Sequence, residues 1–181
     1  MLKTILLLLA PLLLLLITDN ALAQQRWKIQ EDYAISFSGT KAEGTFRGLE
    51  GEILFSASSL EDSKFEVSVL VETISTGNKT KDKHARGSSW FDVATFPQIF
   101  FISNRISSKK SHEFVAYGNL EMKGIKKESA IQFTFLKEGQ SGVFKGTMEV
   151  NREDFGIEGN MFAFVVGENF SVELEIPVSI E

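Results

Sequence analysis

The sequence predicts an all-β protein, an antiparallel up-and-down barrel of about eight strands with a short helical insert covering one end. Three observations carry that prediction. Apolar and polar residues alternate with period two through most of the chain, turn signals separate the alternating runs at even spacing, and helical periodicity is nearly absent. The last of these excludes parallel βαβ units. An antiparallel sheet of evenly spaced strands joined by short polar turns removes its free edges by curling on itself.

Taken in chain order, the first element is an address and not structure. Lys3 stands before an apolar run from Ile5 to Ile17 that only Pro11 interrupts, and Ala21-Leu22-Ala23 supplies small residues for cleavage. A signal peptide over 1–23 and a mature domain over 24–181 are expected, with export to a periplasm or the exterior. An uncleaved anchor is the alternative, but a spanning helix needs about 20 apolar residues and this run is shorter. No membrane span is expected after cleavage.

Strands follow at 33–37, 44–47, 53–57, 65–73, 98–103, 113–122, 130–136, 142–150 and 170–178. The clearest is 65–73, where Phe65, Val67, Val69 and Val71 take alternate positions, so one face of that strand meets the core. Turn residues separate these runs, among them Ser38-Gly39, Gly48-Leu49-Glu50-Gly51, Lys123-Gly124 and Glu138-Gly139-Gln140. No repeat or linker divides the chain, which argues for one domain.

The segment 79–93 breaks the alternation. Helix formers run to Arg86, Gly87 stops them, and Ser88 or Ser89 can cap a further turn containing Trp90 and Phe91. Two short helical pieces are expected. They either cover an open barrel end with Trp90, Phe91, Phe96 and Pro97 beneath, or form a solvated basic loop anchored by Trp90 and Phe91.

Composition excludes several functions. Nineteen Lys and Arg against 24 Asp and Glu give a net charge of −5, without the basic tract that phosphate backbones require, so no nucleic-acid partner is expected. Zero Cys removes disulfides, thiolate metal sites, thiol catalysis and a lipidated cysteine. The nucleophile elbow, zinc-protease, P-loop and dinucleotide signatures are missing too. Only His84 and His112 are present, and the spacing of Asp82 and His84 puts them on different faces of a helix, which suits a surface role better than a shared metal. No catalytic residue, cofactor or metal is expected. Sixteen Phe supply an abundant apolar interior, which a barrel uses either as a packed core or as the wall of an apolar tube.

Five segments then carry a resemblance: Thr73-Ile74-Ser75-Thr76-Gly77; Lys81-Asp82-Lys83-His84; Phe91-Asp92-Val93-Ala94-Thr95-Phe96-Pro97-Gln98-Ile99; Gly118-Asn119-Leu120-Glu121-Met122-Lys123-Gly124-Ile125; and Arg152-Glu153-Asp154-Phe155-Gly156-Ile157. In order and together they resemble the motifs of the YceI-like family, over the chain from about Trp27 to the C-terminus. The resemblance implies an exported bacterial protein with an extended lipocalin-like barrel that binds long apolar molecules such as polyisoprenoids, isoprenoid quinones or fatty amides. The chain departs from the family pattern at Tyr33-Ala34, where His-Ser is usual, and at Lys81-Asp82-Lys83-His84-Ala85, where Arg-Asp-x-His-Leu is usual.

The function expected is therefore a non-catalytic carrier holding an apolar lipid such as a polyisoprenoid or quinone, and a homodimer is compatible with it. The expected wall comprises Phe37, Phe65, Val67, Val69, Val71, Phe91, Phe101, Phe133 and Phe135. Ser75, Asp82, His84 and Trp90 are expected at the mouth, near the head group, because a polar head stays where donors remain wet. For Asp82 and His84 the competing role is support of the helical cover. The alternatives are an enzyme acting on such a lipid with Asp82 and His84 at the mouth, or a filled barrel acting as a structural or interaction module.

Overall fold

The computed structural model describes residues 25–159 and 165–181. The expected leader over 1–23 lies outside them. The described strands are β1 (Arg26–Ile29), β2 (Ala34–Gly39), β3 (Ala42–Leu54), β4 (Lys64–Ser75), β5 (Gln98–Lys110), β6 (Glu113–Met122), β7 (Ile125–Glu138), β8 (Ser141–Asn151) and β9 (Asn169–Ile180). One helix, α1 (Lys79–Arg86), joins β4 to β5, and a 3-10 turn, Arg152–Phe155, follows β8.

From β2 onward each strand pairs antiparallel with the next, and β9 returns to β2. This is a closed eight-stranded up-and-down barrel. β1 adds no ninth stave, because it occupies the same gap as β2: Trp27 lies opposite Ile53 and Ile180, and farther along Ile35 lies opposite Phe46 and Leu174. The two are halves of one stave broken after Ile29. The break is bridged where the Gln30 amide donates to the Pro177 carbonyl and its side chain to Ser179 Oγ.

Two departures from the sequence reading have local causes. The runs at 44–47 and 53–57 are mostly one strand, since Gly48 at φ 69° and Gly51 at φ 127° absorb a bulge where a turn was expected. On β4 the register jumps between the pairs Arg47–Leu70 and Thr45–Ser75, where five steps along β4 oppose two along β3. The Thr73 hydroxyl fills the irregularity and bonds both the amide and the carbonyl of Arg47, at 2.8 and 2.9 Å. The alternation read over 65–73 therefore changes phase. Val71 is buried outside the main core cluster, with its amide donating to the Pro97 carbonyl, and Ile74 takes the next inward place.

Helix α1 spans the expected residues. Asn78 caps it by accepting from the amides of Thr80 and Lys81. The second helical piece expected around Trp90 and Phe91 is instead a run of turns. The amides of Gly87, Phe91 and Val93 donate back to the carbonyls of His84, Ala85 and Arg86, so the segment satisfies the C-terminus of α1 rather than starting a new helix.

Candidate functional site

The barrel interior has two unlike halves. At the end holding β1, the β3–β4 connection and the β7–β8 turn, Phe55 is fully buried and rings close around it. The centroids of Phe65, Phe114, Phe133, Phe135 and Phe144 lie between 5.1 and 6.2 Å from its own, mostly edge to face. Trp27 completes the plug with Phe135 at 5.0 Å, and its indole N–H donates to the Phe55 carbonyl at 2.9 Å. Such ring pairs contribute about 0.5–1.5 kcal/mol each beyond their burial. This half is solid.

The other half is open. A cavity of about 450 Å³ begins above Phe65, Phe133 and Phe144 and is walled mainly by aliphatic side chains, among them Ile35, Val67, Val69, Ile99, Met148 and Val172. The difference is one of side-chain shape, because β-branched and short residues on facing staves do not reach across the barrel as rings do. At the rim stand Phe37, Phe46, Phe170, Lys81, His84, Ala85, Trp90 and Phe91, so α1 and the turns after it lie across this end. The Phe37 ring packs over its cross-strand partner Gly44, where a Cβ would sit 2.7 Å from the ring and 2.4 Å from the Ser75 carbonyl. A side chain at 44 would therefore push the rim apart.

Two polar clusters hold the cover. Asp82 is buried and accepts from both the amide and the hydroxyl of Thr76, each at 2.7 Å. The Thr76 hydroxyl and then its amide, with Arg86 adding a smaller attraction, hold the Asp82 carboxyl below the ordinary carboxylate range. Arg86 ties the other end of the helix to β4 by donating to the carbonyls of Glu72 and Ile74. On the opposite side of the mouth, Arg152 is only 6% exposed. Its guanidinium donates to the carbonyls of Ile157, Glu158, Val166 and Gly167, pairs with Glu153 at 3.2 Å and lies 5.7 Å from the Trp90 ring. Arg152 thus staples both flanks of the β8–β9 connection beneath Trp90.

Of the residues expected to touch a ligand, Phe37, Phe65, Val67, Val69, His84, Trp90, Phe91, Phe101 and Phe133 line the cavity. Four others lie elsewhere. Val71 follows the phase change in β4, Ser75 is exposed outside the lining, Asp82 is turned to Thr76, and Phe135 is packed against Trp27 and Phe144 in the plug. Sequence reasoning missed Trp27, Phe55, Lys41 and the buried role of Arg152. A four-residue strand is too short to show alternation, and no local pattern announces which distant carbonyls an arginine will collect. Among the described residues no three His, Asp or Glu side chains gather as metal ligands.

A closed antiparallel barrel, plugged by aromatics at one end and hollow at the other, defines a lipocalin-like class of architecture. The chain belongs to the YceI-like family: the model of the YceI-like domain matches residues 22–178. It is 32% identical over 135 residues to a UPF0312 protein of Pseudomonas savastanoi, covering 71% of this chain and 70% of that one, and 33% identical over 138 residues to one of Pseudomonas fluorescens, covering 69% of each. Among solved structures, BcnA of Burkholderia cenocepacia has a TM-score of 0.78 at 18% identity, over 83% of this chain and 99% of that one. A polyisoprenoid binding domain from Saccharophagus degradans has a TM-score of 0.64 at 11% identity, over 86% and 98%. These likenesses agree on the fold.

Proposed function

We propose that this protein is an exported, non-catalytic carrier that holds a single long apolar chain of the polyisoprenoid kind inside its barrel. The observation that carries the reading is the hollow half itself, a 450 Å³ cavity with an almost wholly apolar wall and its charged side chains at the mouth. Its size falls in the usual range of about 300–1,000 Å³ for small-molecule sites. Burial of apolar chain at about 25 cal/mol per Å² supplies the affinity, less the cost of ordering the chain. Family membership and the likeness to a polyisoprenoid binding domain support the same ligand class. The bonds from Thr76 to Asp82 favour support of the cover over acid–base work for that carboxylate.

The test is solvent extraction of the purified protein, followed by mass spectrometry and a rebinding assay with the extracted lipid. A stoichiometric long-chain lipid returned unaltered is the expected result. A clean extract together with no uptake of any long-chain probe overturns the reading, and a chemically converted lipid replaces it with an enzyme. Export is tested separately, with mature protein expected to begin at Gln24 and Met1 retained in a membrane fraction refuting it.

A further inference from the structure

If the cavity is a lipid site, the charges on its lining bear on the head group. Lys41, Lys81, His84 and Arg152 line it, and among the described residues no Asp or Glu does. Residues 160–164, Asn-Met-Phe-Ala-Phe, contain no acid. The bias runs against the chain as a whole, which carries more acids than bases and a net charge of −5. Arg152 is committed to backbone carbonyls and Glu153. The Lys41, Lys81 and His84 side chains are exposed, and within the described residues none of the three joins an ion pair. The acids closest in the chain to these groups are otherwise engaged or point elsewhere: Asp82 serves Thr76, and Glu43 is an exposed residue outside the lining.

These three side chains share one rim. Lys81, His84 and Ala85 follow the i, i+3, i+4 spacing of one helix face, and all three line the cavity. Lys41 sits in the two-residue turn between β2 and β3, and the pairing of Thr45 with Ser75 brings that hairpin alongside the strand end that leads into Thr76 and α1. A chain threaded into the hollow half would leave its head between the hairpin tip and the helix.

We propose that the ligand is a single-chain amphiphile with an anionic head, a carboxylate or a phosphate, which Lys41, Lys81 and His84 hold at the rim. The inference rests on the carrier reading and narrows it, since a neutral quinone or amide head would leave this basic rim without a partner. The chain supplies most of the affinity. The rim supplies discrimination, which is modest and salt-sensitive because its charges are exposed.

The experiment compares matched pairs on the delipidated mature protein: oleate against methyl oleate, and a long polyprenyl monophosphate against its polyprenol. At low salt the anionic member of at least one pair should bind tighter, by about five- to tenfold for two or three exposed ion pairs. Which pair shows it tells carboxylate from phosphate. The double variant Lys41→Gln, Lys81→Gln should bring that ratio toward one, and about 0.5 M salt should do so without mutation. Equal affinities within both pairs overturn the inference while leaving the carrier reading intact, and so does a preference that neither the variant nor salt reduces. Failure of every probe to bind rejects the carrier reading and this inference with it.

Discussion

The two halves of the barrel interior are built on the same staves with the same alternation, yet one is solid and the other hollow. β7 and β8 each contribute to both: Phe135 belongs to the plug alone, Phe133 and Phe144 form its upper surface and the cavity floor, and Ile131 and Met148 continue along the hollow wall. What separates the halves is whether inward side chains meet across the barrel. Rings around Phe55 do, at centroid distances as short as 4.3 Å between Phe135 and Phe144, and the aliphatic groups above them do not. Stability and capacity are thus concentrated in different parts of one sheet.

That division can be broken first at the plug. Phe144→Ala removes a ring that touches Phe55, Phe65, Phe133, Phe135 and Trp27, and it should cost about 3–5 kcal/mol in chemical denaturation. A loss under about 1 kcal/mol would mean that the rings are loosely packed. Adding volume sharpens the contrast. Ala116→Leu, at a fully buried core position outside the cavity lining, should cost about 1–3 kcal/mol through overpacking. Val69→Phe, on the cavity wall, should cost less than about 1 kcal/mol and yet sharply reduce uptake of a long-chain probe. Equal costs at the two sites would erase the difference between the halves.

The cover yields smaller effects. Asp82→Asn weakens the bonds from Thr76, and the variant should melt below wild type at pH 7. Because the folded-state carboxyl is held below its unfolded value, its contribution is present above the unfolded pKa of about 3.9 and is lost as pH falls through the lowered folded one. The difference in Tm should therefore shrink below about pH 4, and a difference independent of pH would show that charge is not involved. Smallest of all, His84→Ala should leave melting within error, since the side chain is exposed, and should weaken binding of a head-bearing lipid more than of a bare hydrocarbon. Identical losses for both probes would make His84 a support of the cover only.

Much of the fold was legible because alternation with period two is a local signal that closure of the barrel does not overwrite. The strands at 113–122, 130–136 and 142–150 fall within β6, β7 and β8. Legibility failed where the backbone departs from a regular ladder. The bulges at Gly48 and Thr73 joined two runs into β3 and turned Val71 away from the cavity, and β1 was too short to register. At the site, Val67, Val69 and Phe65 could be read because their strand is regular there. Arg152 could not, because its partners lie up to 15 residues away and become partners only when the β8–β9 connection folds back.

By itself the sequence determined where most of the strands lie, the helix between Asn78 and Gly87, the lack of any thiol chemistry and the abundance of phenylalanine. Those properties follow from periodicity, capping and composition, which act over a few residues or over the whole chain. Only the tertiary structure decided that the phenylalanines divide between a plug and a floor, that Asp82 serves Thr76, and that basic side chains from a hairpin and a helix share one rim. The reason is physical: whether an inward side chain fills space or leaves it depends on what faces it across the barrel, and those partners lie tens of residues away in the chain.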